Sequence, residues 1–280
     1  MALSFPTQIF PVYFNKFVVP GANMVDSANK DWRKIYPETG NGLSSWVLRS
    51  MLIIKGDSRI LIDTGFGNKQ SFSFFRPFQL EGEYQIDDQL AKIGLTKNDI
   101  TDVILTHLHY DHCGGCLLKE GENIVPAFPK AQLWITSEQW KTALNPSETE
   151  KESFPEENIK PLPDFYPIRF IGEEGGYLPG IYFKIVNGHT RGQLIPLIRV
   201  NDDTILFGAD LFPSSAHLDP DINMAYDMDQ VLAKQEKARI LSECINNSYI
   251  IAFQHGSYIE ACTVSNPKGK LEIHPVKFHE

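Results

Sequence analysis

The chain has 280 residues, 42% hydrophobic and 22% charged, with 26 basic against 35 acidic side chains and a formal net charge of −9. That is the composition of an ordinary globular protein of one large domain or two. It excludes a spanning helix, since no apolar run reaches roughly 18 residues. It also argues against a nucleic-acid face, which needs clustered Lys and Arg.

The first residues, Met1-Ala-Leu-Ser-Phe-Pro6, lack a basic n-region and a small-residue cleavage site, so the expected location is cytoplasmic, with no membrane partner. Residues 1–40 are rich in aromatics (Phe5, Phe10, Tyr13, Phe14, Phe17, Trp32, Tyr36) and show no helical period. They read as a leading strand plus an extended lid or oligomer arm. Residues 46–56 and 59–63 read as a hairpin whose turn is Lys55-Gly56-Asp57-Ser58. Residues 71–84 form an insert carrying Phe72, Phe74, Phe75 and Phe78. Residues 87–95 suggest a short helix, and Asp102 to Thr106 a β-branched buried strand.

Further along, Gln132 to Thr136 reads as a strand and Ser137 as the cap of a helix running to about Leu144. The charged, proline-rich residues 145–165 suggest a surface loop. Strands are expected near 167–171, 181–187, 193–200 and 204–209. Met228 to Asn246 is the longest helical segment, with Val231, Leu232, Gln235, Ala238, Leu241 and Cys244 or Ile245 on one stripe. A last buried strand is expected at about 249–254. No internal repeat is evident by eye. Strand runs interleaved with helices indicate a layered α/β fold.

The chemistry concentrates in Thr106-His107-Leu108-His109-Tyr110-Asp111-His112, where imidazoles and a carboxylate suit zinc or iron. They follow a strand, where a rigid scaffold can hold ligands on a loop. A surface loop that merely happens to be His-rich is the plain alternative. Against it stand three more coordinating residues, each the first after a strand-like run. They are His189 in Asn187-Gly188-His189-Thr190, Asp210 in Leu206-Phe207-Gly208-Ala209-Asp210, and His255 after Ile250-Ile251-Ala252-Phe253-Gln254.

This order of motifs, with Asp63 in Leu61-Ile62-Asp63-Thr64-Gly65 as the first, resembles the metallo-β-lactamase superfamily. The resemblance spans residues 63 to 255. It implies a single αββα sandwich over residues 1–280, of four α+β layers. It implies two zinc ions, with iron or manganese as alternatives. His107, His109 and His189 would bind the first ion and Asp111, His112 and His255 the second, with Asp210 bridging. It also implies hydrolysis by a metal-bridging hydroxide, with Asp111 and Asp210 as the catalytic carboxylates and Asp111 passing a proton to the leaving group. Asp63 and Thr106 would orient histidines from behind.

Several features resemble the N-acyl homoserine lactonase and methyl parathion hydrolase branch. They are the long N-terminal arm, His107 to His112 followed by Gly114-Gly115, Phe128-Pro-Lys-Ala131, and Tyr226-Asp-x-Asp229 at a helix entry. Lactonases of that branch usually carry a tyrosine three residues after the bridging aspartate, where this chain has Pro213. The resulting expectation is a dinuclear zinc hydrolase of a small ester-like substrate, a lactone first. A phosphotriester is the alternative, and an iron-containing redox or oxygen-handling protein is the reading from another class. Phe72, Phe75, Phe78 and His217 are candidates for the pocket wall, with a homodimer contact as the other use of the phenylalanines. Tyr110 is expected to be packing. Cys113-Gly-Gly-Cys116 reads as small apolar filling rather than a redox pair. Cys244 and Cys262 read as buried free thiols. His274 and His279 lie outside the pattern.

Overall fold

Ile60, Leu61 and Ile62 are consecutive and all buried, yet Leu61 enters one core and its two neighbours another. Successive side chains leave a strand on opposite faces, so a strand this apolar must be covered on both. That requirement sets the architecture of the computed structural model, which describes residues 6–278 apart from positions 28 and 83. Phe5 and His279 therefore lie outside the described residues.

The strands in chain order are β1 (Gln8–Pro20), β2 (Glu38–Gly40), β3 (Leu43–Lys55), β4 (Ser58–Ile62), β5 (Asp102–Ile104), β6 (Leu117–Glu120), β7 (Asn123–Pro126) and β8 (Gln132–Thr136). The second half supplies β9 (Ile168–Ile171), β10 (Gly175–Leu178), β11 (Ile181–Val186), β12 (Gln193–Val200), β13 (Asp203–Phe207), β14 (Ile250–Ala252), β15 (Ala261–Ser265) and β16 (Glu272–Val276). One seven-stranded sheet runs β1-β3-β4-β5-β8-β9, with β2 added on β3; the other runs β10 to β16 in sequence order. Met51, Ile53, Ile60, Ile62 and Ile104 of the first sheet share a core with Phe183, Ile195, Leu206, Phe207 and Ile251 of the second. Leu52, Leu61, Val103 and Leu133 join a second core with Leu90, Phe128, Ile159 and Leu162. The long helix Gln230–Asn247 joins the first of these cores through Ile240, Leu241 and Cys244. The layers are helix, sheet, sheet, helix, the αββα sandwich.

Each sheet contains a parallel step that positions the site. β4 pairs parallel with β5, Ile62 against Ile104, and β13 with β14, Phe207 against Ala252. The loops leaving the carboxyl ends of these four strands carry Asp63, the His107–His112 motif, Asp210 and His255. In open α/β sheets ligands collect in crevices at such strand ends.

Several sequence expectations need correction. The N-terminal segment is no free arm: β1 is a 13-residue strand paired along β3, and Trp32 and Tyr36 are buried. Residues 145–165 are not a plain surface loop. They make short helical turns at Lys151–Ser153, Glu156–Ile159 and Leu162–Phe165 and bury Phe154, Asn158, Ile159 and Leu162. The helix Ser137–Leu144 is capped by Thr136, whose hydroxyl accepts the Gln139 N–H at 3.0 Å. The long helix buries Ala233, Glu236, Lys237, Ile240, Leu241 and Cys244, while Val231 is 70% exposed. The apolar stripe lost to an adjacent face because Glu236 and Lys237 find fixed polar partners there, which no periodicity can show. β14 is not the last buried strand, since β15 pairs with it and buries Ala261 and Cys262.

Candidate metal centre

Two tight turns bring the strand ends together. Asp63 leaves β4 with φ +56°, a left-handed conformation that aspartate tolerates better than most residues. The loop it begins lies flat on Gly114 and Gly115. A Cβ at Gly115 would sit 2.1 Å from the Thr64 carbonyl, and one at Gly114 2.3 Å from that of Phe66. The glycine pair after the histidine motif is therefore fixed by backbone contact. On the opposite side Ala209 has φ +42°, turning the chain sharply enough to aim Asp210 back into the strand ends.

The turned-in side chains form two groups of buried donors. His107, His109, His189 and Asp210 bring ligand atoms within 4.8 Å of one another, as do Asp111, His112 and His255. In the first group His109 Nδ1 lies 3.0 Å from His107 Nε2 and 3.2 Å from His189 Nε2, and His189 Nε2 lies 3.2 Å from Asp210 Oδ2. In the second, Asp210 Oδ1 lies 3.1 Å from His255 Nε2 and 3.5 Å from His112 Nε2. Asp111 Oδ1 and Oδ2 lie 3.6 Å from His112 Nε2 and 3.8 Å from His255 Nε2. Four donors about 2.0–2.1 Å from a tetrahedral ion are about 3.3 Å apart, so these spacings fit a divalent metal in each group. His112 Nε2 is buried without a hydrogen-bond partner among the described residues, as a nitrogen reserved for a metal would be.

Every one of the five imidazoles is held at its far nitrogen. Asp63 Oδ2 takes His112 Nδ1 at 2.9 Å, while the carboxylate accepts the Thr106 N–H at 2.8 Å and its hydroxyl at 2.7 Å. Thr106 Oγ1 also lies 3.1 Å from His107 Nδ1. Glu150 takes His109 Nε2 at 3.2 Å and accepts the Thr190 hydroxyl. Asp227 takes His189 Nδ1 at 2.9 Å, and the Val47 carbonyl takes His255 Nδ1 at 3.1 Å. Such partners fix the tautomer and the ring plane. Glu236 adds a backbone clamp, accepting the Asn187 and Gly188 N–H groups at 2.8 and 2.9 Å just before His189.

The electrostatics are those of a site that attracts cations. Burial would raise the Asp210 carboxyl, but His112, His255 and His189 hold it well below the usual carboxylate range. Burial alone would lower His112, yet Asp111, Asp210 and Asp63 lift it well above its ordinary value. His107, with less help from carboxylates, is pushed well below its ordinary value by burial and then by its neighbouring imidazoles. Divalent ions would take over the charge balance that protons otherwise supply.

A narrow cavity of about 50 Å³ opens onto both groups. Phe17, Val19 and Met24 of the N-terminal segment form one wall, Met224 and Tyr226 another, and Tyr110 a third. None of Phe72, Phe75, Phe78 and His217 lines it, which corrects the expected pocket. Phe72 is 80% exposed. Phe75 and Phe78 stand one layer back, against Phe66 at ring-centroid distances of 6.3 and 5.1 Å. Tyr110 comes between Phe78 and the cavity, so it is wall as well as packing. His217 is buried, with Nδ1 2.8 Å from the Ser214 hydroxyl and Nε2 donating to the Met24 carbonyl at 2.7 Å. Burial drives its pKa down to about 3. Cys113 and Cys116 lie behind the turn as buried free thiols. Burial pushes both up, Cys116 to about 12, so neither is a ready nucleophile. Cys244 and Cys262 are likewise buried and free.

Glu150, Asp227 and Glu236 escaped the sequence reading. Asp227 stood in a motif noted only for its likeness to one branch. Glu150 and Glu236 carried no signal, because a single acidic residue in a polar loop or on a helix is usually solvated.

Such a sandwich, with two groups of imidazole and carboxylate at its strand ends, defines a metallohydrolase-type scaffold. Residues 45–255 match the family model of the metallo-beta-lactamase superfamily, and the chain belongs to it. A probable metallo-hydrolase of Mycobacterium tuberculosis is 24% identical over 189 residues, 60% of this chain and 58% of that protein. The chain thus spans under three fifths of the length of the curated relatives it matches. A probable metal-dependent hydrolase from Staphylococcus aureus superposes with a TM-score of 0.86 at 23% identity, covering 99% of each chain. AidC, a dizinc quorum-quenching lactonase solved with a product, superposes with a TM-score of 0.81 at 19% identity over 100% of both chains. At these identities the likeness is one of fold. No helix among the described residues is long and apolar enough to cross a membrane.

Proposed function

We propose that this chain is a hydrolase that holds two divalent ions, zinc first, and opens a small ester-like substrate, foremost a lactone. The observation that carries the reading is the division of Asp210. Its Oδ2 faces His189 of the first group and its Oδ1 faces His255 and His112 of the second. One carboxylate serving two groups is the arrangement a dinuclear centre requires. Bound ions would supply Lewis acidity toward the reacting oxygen and activate water. The chain's own residues do the rest. Phe17, Val19, Met24 and Met224 keep bulk water from the reacting centre. Asp111, with its side chain 15% exposed on the cavity, is the carboxylate of the cluster most open to a leaving group and can hand it a proton. The structural likeness to a lactonase supports the choice of lactone.

A second reading, hydrolysis of a phosphotriester at the same groups, rests on Pro213. It occupies the position where lactonases of the branch carry a tyrosine, and its carbonyl is already taken by the His255 N–H at 2.9 Å. Acid release from N-hexanoyl homoserine lactone, followed by pH-stat with zinc-loaded protein, separates the two. Turnover abolished by chelator and restored by zinc supports the lactonase reading. Protein that carries two zinc ions yet spares the lactone while cleaving a dimethyl aryl phosphotriester would replace it. The oligomeric state, a homodimer or otherwise, does not enter this reading.

A further inference from the structure

Tyr226 presents its ring to the cavity beside Asp111 and Asp210. Its segment is pinned from two sides. Asp26 and Asn223 exchange backbone hydrogen bonds at 2.8 and 3.2 Å, and the Ala225 N–H donates to the Asn23 carbonyl at 2.7 Å. From the long helix, Lys237 Nζ donates to the Ile222 carbonyl at 2.8 Å. Asp227, two residues before the cap of that helix, accepts the Met224 N–H at 2.9 Å. The phenol is therefore held in place before any substrate arrives.

Asn23 also fixes which way the phenol proton points. Its Nδ2 donates to the Tyr226 hydroxyl oxygen at 3.1 Å. An amide N–H can only donate, so the phenol oxygen is the acceptor in this contact and its own proton remains to be given elsewhere. The hydroxyl stays protonated, because burial and the nearby Asp111 carboxylate both raise its pKa. Tyr110 is the other tyrosine of the wall, but Phe66, Phe74 and Phe78 cage its ring at centroid distances of 5.5, 5.4 and 5.3 Å.

Resting on the hydrolase reading, we infer that Tyr226 is the hydrogen-bond donor that receives a substrate oxygen at this site, a carbonyl or a carboxylate, with Asn23 directing its proton. A donor oriented in advance in a cavity shielded from water acts where charge develops and needs no reorganisation.

The test uses the whole zinc-loaded chain, with metal content measured for every variant, and reads hexanoate binding by calorimetry beside lactone turnover. Tyr226→Phe is expected to weaken hexanoate about tenfold or more, the usual loss when a hydrogen bond to a charged group is removed, and to lower kcat more than it raises KM. Asn23→Asp offers a carboxylate that accepts the phenol proton and should reproduce the same loss while Tyr226 is still present. It carries the test if the phenylalanine variant fails to fold. Hexanoate bound equally well by wild type and both variants overturns the inference, as does zinc-loaded wild type that binds no hexanoate. A wild type that spares the lactone, while Tyr226→Phe still costs tenfold in hexanoate binding, would sink the lactonase reading and leave the donor role standing.

Discussion

Asp227 grips His189 from behind, Oδ1 to Nδ1 at 2.9 Å, while the opposite nitrogen of the same ring faces Asp210 at 3.2 Å. One imidazole is thus held between two buried carboxylates, and the rear one is itself tied to the long helix. Lys237 Nζ lies 3.9 Å from Asp227 Oδ2, with both side chains 1% exposed. Burial would raise the Asp227 carboxyl, but its hydrogen bond to His189 and the charges of His189 and Lys237 hold it below its ordinary value. Asp227→Asn leaves a neutral amide that can no longer anchor the ring with a charge. Zinc affinity at the first group should fall about 10- to 100-fold. Competition with a chromophoric chelator measures it, and unchanged affinity would show that His189 keeps its place without the carboxylate.

Asp210→Asn removes the one side chain shared by both groups. Bound zinc should drop from two ions to one or fewer. Turnover should fall by about a thousandfold or more if the ions act as a pair. Far-ultraviolet circular dichroism should be unchanged. A variant that keeps two ions and most of its activity would remove the basis of the dinuclear reading.

Phe75 supports the wall rather than forming it, packing on Phe66 and on Phe74 at a centroid distance of 5.3 Å. Because it is only partly buried, Phe75→Ala should cost about 1–3 kcal/mol in urea unfolding, below the range for a fully buried phenylalanine. KM should move little. A large rise in KM at unchanged stability would restore Phe75 to the pocket, and dissociation of an oligomer would make it an interface residue.

His217 gives the fold a pH dependence of known sign. The unfolded chain protonates it near the ordinary value of about 6.5, whereas the folded chain does so only near 3 because the ring is buried. Between these values the folded state binds fewer protons, so stability is intact above about pH 6.5 and is lost as pH falls toward 3. His217→Gln removes this titration. The stability gap between wild type and variant should narrow by about 2 kcal/mol between pH 7 and pH 5, at about 1.4 kcal/mol per unit. A gap that stays constant would mean that the folded ring takes up its proton as readily as the unfolded one.

A variant at Gly188 probes how closely the His189 loop rides on the long helix. A Cβ there would lie 2.3 Å from the Ala233 nitrogen and 2.4 Å from its Cα. Gly188→Ala must displace either the helix or the His189 loop, so first-group zinc affinity and melting temperature should fall together. Loss of stability with zinc affinity intact would show that the helix yields and the loop does not.

Local pattern made part of this molecule legible in the sequence. β8 was readable residue for residue as Gln132–Thr136, and the β3–β4 hairpin at its Gly56-Asp57 turn, because period-two burial and turn chemistry act over a few residues. The candidate ligands were legible for the same reason. Each is the first strongly coordinating residue after an apolar run, so chain order alone marked them, and the fold then gathers them at the ends of β4, β5, β13 and β14. The tertiary structure alone decided what stands around them. Glu150, Asp227, Glu236 and Lys237 have no distinguishing neighbours in the chain, and the burial that turns them from solvated charges into clamps comes from segments 38 to 49 residues away or from a loop packed across a helix. The same holds for the pocket: four phenylalanines in sequence advertised a wall, but Tyr110 reached the cavity first. A sequence records which side chains prefer to leave water, but which of them meet is settled only when distant segments compete for the same space.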